Sequence, residues 1–199
     1  MASPLIDTRL KNIEWVYCED VYKSNKDANI IDKVIACCEH GVTGDFAFWS
    51  DDQAILKHHQ MKVVFNNRNP FLWRPTCKWE ERMCLTGHYI LEKFGRKLPF
   101  NFESHVPQKM NRQGFLRLKN LDYQSGIGLT INTLYYGVNG WKSSDEADQR
   151  KVKATFENDS FDERELQGKL WVGWNDKGWK AGLRDWMFKK FPNKCKYEA

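Results

Sequence analysis

Trp171, Trp174 and Trp179 lie within a short stretch of Lys180, Arg184, Lys189 and Lys190, and indole rings beside cations are what single-stranded nucleic acid needs. A base stacked on an aromatic ring contributes about 1–3 kcal/mol, while each Lys or Arg neutralises a phosphate. These seven residues are therefore read as a face for single-stranded or structured RNA or DNA on a non-catalytic binding protein. If residues 169–174 form a strand, strict alternation sends Trp171 and Trp174 to opposite sides. Trp171 is then the ring expected to stand away from Leu170, Val172 and Trp174. The same cluster also suits a carbohydrate-binding module, in which rings stack on sugar faces and Asn139, Asn175 or Asp176 read hydroxyls. A protein-binding module with indoles as interface anchors is a further reading.

A second kind of chemistry is thiol and imidazole. Cys84 and His88 are one helical turn apart, and His105 sits in a polar stretch from which it could supply a base. An intracellular enzyme with a Cys/His site on these three residues is the alternative function. Such a nucleophile also needs thiolate activation and an oxyanion site, and i, i+4 pairs arise by chance on any helix. His58 and His59 lack a third partner at helical spacing, so no metal site is expected. No glycine-rich phosphate loop, dinucleotide fingerprint or serine elbow is present, so no cofactor is expected.

Composition sets the frame for these residues. The chain has 199 residues, 41% of them hydrophobic, with nine Trp, and is read as one domain able to bury a core. Thirty-one Lys and Arg against 26 Asp and Glu give a formal charge of +5, a modest bias toward anionic partners. No basic stretch followed by an apolar run opens the sequence and no long apolar run occurs later. A cytoplasmic protein without signal peptide or membrane span is expected. The cysteines at 18, 37, 38, 77, 84 and 195 include no CxxC pair and are read as reduced thiols.

The elements that must position these groups follow from periodicity and caps. Residues 24–40 predict a helix, capped by Ser24 or Asn25, with Ile30, Ile31, Val34, Ile35 and Cys38 on its apolar face and Gly41 as its stop. Ser50, Asp51 and Asp52 predict a brief helix to about residue 59, and residues 61–65 a strand. A second long helix is expected from Thr76 to Gly95 with Trp79, Met83, Ile90, Leu91 and Phe94 on the buried side. Residues 99–114 read as an irregular loop. Strands are expected at 115–121, 127–136, 151–156 and 169–174, with a polar connection at 139–150. A basic amphipathic helix over 178–191 closes the chain. The resulting expectation is an α+β fold: an antiparallel sheet of roughly five strands, mainly C-terminal, against which two long N-terminal helices and the C-terminal helix pack.

Overall fold

The computed structural model describes residues 14–193 apart from positions 51, 59, 61–62, 105, 143, 147–148 and 153–160. The chain divides into two compact units. The larger takes Val16–Lys151 and Gly168–Gly173, and the described part of the smaller falls in 14–15, 152, 161–167 and 174–193. The fold is α+β.

In the larger unit α1 (Lys26–His40) forms where expected. Asn25 is the cap: its Oδ1 accepts from the Ala28 N–H at 2.9 Å, and its amide donates to the Tyr123 and Gln124 carbonyls at 3.2 and 3.3 Å. A helix start is thereby tied to a loop far along the chain. The second helix, α2 (Lys78–Phe94), stops at Gly95 in the left-handed conformation, φ 64°. Its buried face is rotated from the expected one: Met83, Cys84, Thr86 and Ile90 are buried, whereas Leu91 and Phe94 are 36% and 40% exposed. The rotation follows from its neighbour, since the Thr86 hydroxyl accepts the Thr130 backbone N–H at 2.8 Å and Thr86 therefore faces inward.

That neighbour, α4 (Ile131–Asn139), replaces the strand expected at 127–136. Ile131, Asn132, Thr133, Leu134, Tyr135, Tyr136 and Gly137 are all buried. With Asn132 and Thr133 buried among its apolar residues this helix carries no charged face, and Ile131, Thr133 and Tyr135, β-branched or aromatic at alternate positions, imitate a strand. Its first turn is satisfied by Glu103, whose carboxylate accepts the Thr133 N–H at 2.7 Å. Burial pushes the Glu103 carboxyl up to about 7 against the pull of that N–H, and the Asp27 carboxylate adds to the rise. Asp27 itself is paired with Arg82 at 2.5 Å. Around α4 lies the main core, with Phe102, Phe115, Leu118, Leu134 and Met110 fully or almost fully enclosed. Each such side chain contributes about 1.5–3 kcal/mol through burial.

The strands fall into small ribbons instead of one five-stranded sheet. β1 (Asp45–Phe48) pairs antiparallel with β4 (Gln108–Asn111), which lies in the stretch read as a loop. β2 (Gln53–Ile55) takes the place of the brief helix because it pairs antiparallel with β7 (Trp171–Trp174). β3 (Val63–Phe65) runs parallel to β5 (Ser144–Glu146), in the stretch read as a polar connection. β6 (Gln149–Val152) joins β7 on the side away from β2, and the rest of the strand expected at 151–156 lies outside the described residues. The strand expected at 115–121 is helical. α3 (Arg112–Leu116) is followed by a 3-10 turn, Arg117–Asn120, because the Asn111 side chain accepts from the Gln113 and Gly114 N–H groups and starts a helix there.

The smaller unit contains a 3-10 turn, Glu163–Leu166, and the helical C-terminal segment. That segment runs through α5 (Asp176–Gly178), a wide π turn (Trp179–Leu183) and α6 (Arg184–Lys190), close to the helix expected. Gly182, at φ 108°, lets the turn widen so that the Arg184 N–H reaches the Trp179 carbonyl. Among the described residues no helix is long and apolar enough to cross a membrane.

Candidate functional site

The C-terminal residues singled out from sequence part company at Trp171. Its ring is 3% exposed, packed with Val64 and Val106 in a small second core, and β7 holds it in register opposite Ile55. The expectation of an outward Trp171 is therefore corrected: Val64 and Val106 claim that face of the strand, and a buried indole offers no platform to a base. Trp174 and Trp179 instead stack on each other, centroids 5.1 Å apart at 27°, both half-buried. Asn175 fixes this hairpin-like approach by accepting the Gly178 N–H at 2.7 Å, so the chain turns from strand to helix between the two rings. Lys180, Arg184, Lys189 and Lys190 are exposed, and among the described residues none forms an ion pair. Arg184 lies over the Phe188 ring at 5.7 Å, and Phe188 is 62% exposed. Trp186 packs edge-on against Phe161 at 5.8 Å.

Of the thiol–imidazole constellation, Cys84 and His88 face different neighbours. The Cys84 side chain is buried and directs its sulfur at the Leu72 carbonyl, 4.0 Å away. His88 is exposed and meets the edge of Phe71 at 5.3 Å. Among the described residues no hydrogen bond joins the two, and His105 lies outside those residues.

A cleft that sequence reading missed lies within the larger unit. It encloses about 860 Å3, within the size range of small-molecule sites. The β1/β4 ribbon supplies Asp45, Lys109 and Asn111, α3 and the turn after it supply Gln113, Gly114 and Arg117, and α4 and its exit supply Tyr135, Tyr136, Asn139, Trp141 and Lys142.

The cleft is held from behind. The Asn111 N–H donates to the Tyr135 hydroxyl oxygen at 2.8 Å, and the Tyr136 hydroxyl donates to the Lys109 carbonyl at 2.6 Å. The Asn139 amide donates to the Gly114 and Tyr135 carbonyls at 3.0 and 2.9 Å, and its oxygen accepts from Arg117 at 3.2 Å. Only glycine fits at 114, since a Cβ there would stand 2.9 Å from the Tyr135 hydroxyl and 3.2 Å from the Asn139 amide. Asp45 accepts from Asn111 and Lys109, both at 2.9 Å, and these hydrogen bonds hold its carboxyl below the usual range. Burial pushes the Tyr135 and Tyr136 phenols up. At neutral pH the carboxylate is ionised and the phenols are protonated. The wall thus presents fixed charges and hydrogen bonds, the equipment of binding more than of proton transfer.

The sequence signals for this cleft were weak. Asn111 is a helix-capping residue two and three positions before Gln113 and Gly114, and Lys109, Arg112 and Arg117 form a basic stretch, but nothing local relates them to Trp141. A further ring, Trp73, is 91% exposed beside Arg74. Compared with known proteins, the chain matches no family model and no curated protein.

Proposed function

We propose that this is a binding protein for an anionic partner, single-stranded RNA or DNA, which it meets through the C-terminal segment. The observation that carries the reading is the stacked Trp174–Trp179 pair followed along the same helical segment by four exposed cations that no carboxylate among the described residues neutralises. Cations without internal partners are available to phosphates, and displacement of condensed counterions drives their association. Half-open indoles add stacking that every base can accept, so the expected binding is tolerant of sequence. Trp171 has no part in this surface, whose ring members are Trp174, Trp179 and the outward Phe188.

The test is fluorescence anisotropy of labelled single-stranded RNA and DNA oligomers from roughly 50 to 200 mM salt, the range over which phosphate contacts weaken steeply. Micromolar or tighter binding with a steep salt slope is expected. Lys189→Glu should flatten that slope, and Trp174→Ala should weaken binding at every salt concentration. Absence of binding at the lowest salt overturns the reading. Binding of neutral sugars that is insensitive to salt would replace it with the carbohydrate module.

A further inference from the structure

The geometry points to a separate small-molecule site: the cleft of the larger unit takes a nucleoside phosphate, its phosphate on Arg117 with Lys109 and Lys142 and its base against Trp141. None of the lining residues belongs to the smaller unit, so this site stands or falls independently of the C-terminal surface.

Charge comes first. Lys109, Arg117 and Lys142 line the cleft against one carboxylate, Asp45, whose oxygens are already engaged by Asn111 and Lys109. An entering anion therefore meets a net cationic wall with its one negative group turned to internal partners. Arg117 is the group best placed to bind it. Asn139 holds one arm of the guanidinium, and Asn139 is itself fixed by two backbone carbonyls, while among the described residues the remaining N–H groups of Arg117 have no partner. A planar fork oriented from behind suits the paired oxygens of a phosphate, and its orientation is set before the ligand arrives.

The aromatic side of the cleft is equally fixed. Trp141 packs edge-to-face on Phe102 at 4.8 Å and leans on Phe100 at 5.8 Å, so its indole is braced on the core. The side chains of Gln60 and Gln113, both exposed on the lining, have no hydrogen-bond partner among the described residues and can read the edge of a base or a ribose hydroxyl. Anion, flat ring and hydrogen-bonding edge in one volume of about 860 Å3 describe a nucleotide better than a bare phosphate or an uncharged sugar. The ligand is either a free nucleotide or the phosphorylated terminal residue of a strand, which share this chemistry.

Isothermal titration of the full chain with AMP, adenosine, inorganic phosphate and a 5′-phosphorylated trinucleotide tests the site. AMP is expected to bind about tenfold or more tightly than adenosine or phosphate, because both halves of the cleft are engaged. Arg117→Gln, at an exposed position, should weaken AMP about tenfold or more with the urea unfolding midpoint unchanged, and Trp141→Phe by about threefold. Trp174→Ala should leave AMP binding unchanged and weaken only long oligomers. A trinucleotide tighter than AMP with the same dependence on Arg117 supports a strand end as the occupant, and a weaker one supports the free nucleotide. AMP binding no tighter than phosphate, no AMP binding at all, or full affinity in Arg117→Gln overturns the site.

Discussion

The cleft and the C-terminal segment present cations to their surroundings in opposite ways. In the cleft, Arg117 is held by Asn139 and Lys109 by Asp45, and both rest on α4, every residue of which from Ile131 to Gly137 is buried. In α6 no residue is buried, and its cations extend from a helix whose own continuity depends on a widened turn. Preorganised charge favours selectivity for shape, because the ordering cost is met in folding. Unpaired surface charge favours adaptable, salt-sensitive attraction with little selectivity. The two regions therefore differ in their support: the residues behind the cleft belong to the core, whereas those of α6 do not.

The strongest way to separate them is by stability. Leu134→Ala, at a fully enclosed position of α4, should cost about 2–5 kcal/mol in urea unfolding, whereas Phe188→Ala on α6 should stay within about 0.5 kcal/mol. Similar costs for the two would show that α6 is as deeply integrated as α4 and would break the contrast. Gly182→Ala comes next. The φ of 108° is strained for any L side chain, although a Cβ would meet only Phe161 at an ordinary 3.8 Å. We expect a loss of about 1–2 kcal/mol, seen as increased amide exchange confined to the C-terminal segment. Exchange that rises throughout α4 instead would count against a local turn.

The last test is a slope against pH. Glu103 has its folded-state value raised to about 7, above the ordinary glutamate range, so the folded chain holds that proton more tightly than the unfolded chain. Its contribution to stability is then full below about pH 4.5 and is lost as pH rises through about 7. Glu103→Gln should flatten the stability profile across that window while leaving the salt slope of oligomer binding unchanged. A wild-type profile that rises with pH over the same window would contradict the assignment.

Legibility in the sequence followed how local each signal was. α1 and the end of α2 could be read because Asn25, Asp27, Gly41 and Gly95 act within their own turns. The C-terminal helix could be read because its apolar and basic faces differ. α4 could not, since it has no charged residue to mark a solvent side, and Ile131, Thr133 and Tyr135 mimic a strand. β2 was hidden for another reason: Gln53–Ile55 is a strand only because Trp171–Gly173 lies alongside. For the candidate sites, residue types were visible and exposure was not. Trp171, Trp174 and Trp179 looked alike, and one neighbouring pair of valines, Val64 and Val106, removes the first from the surface. The cleft needed four separated segments, so no window of sequence contains it.

The pairing of β2 with β7 also bears on synthesis. Among the described strands β7 is the sole neighbour of β2, and Trp171 closes the apolar group of Val64 and Val106. On the ribosome, Gln53–Ile55 must wait for most of the chain to emerge before its ladder can form, and a contact of such high sequence separation forms late and slowly. Until then the nascent chain carries an unpaired edge beside uncovered valines, the kind of surface that chaperones hold and that neighbouring nascent chains join.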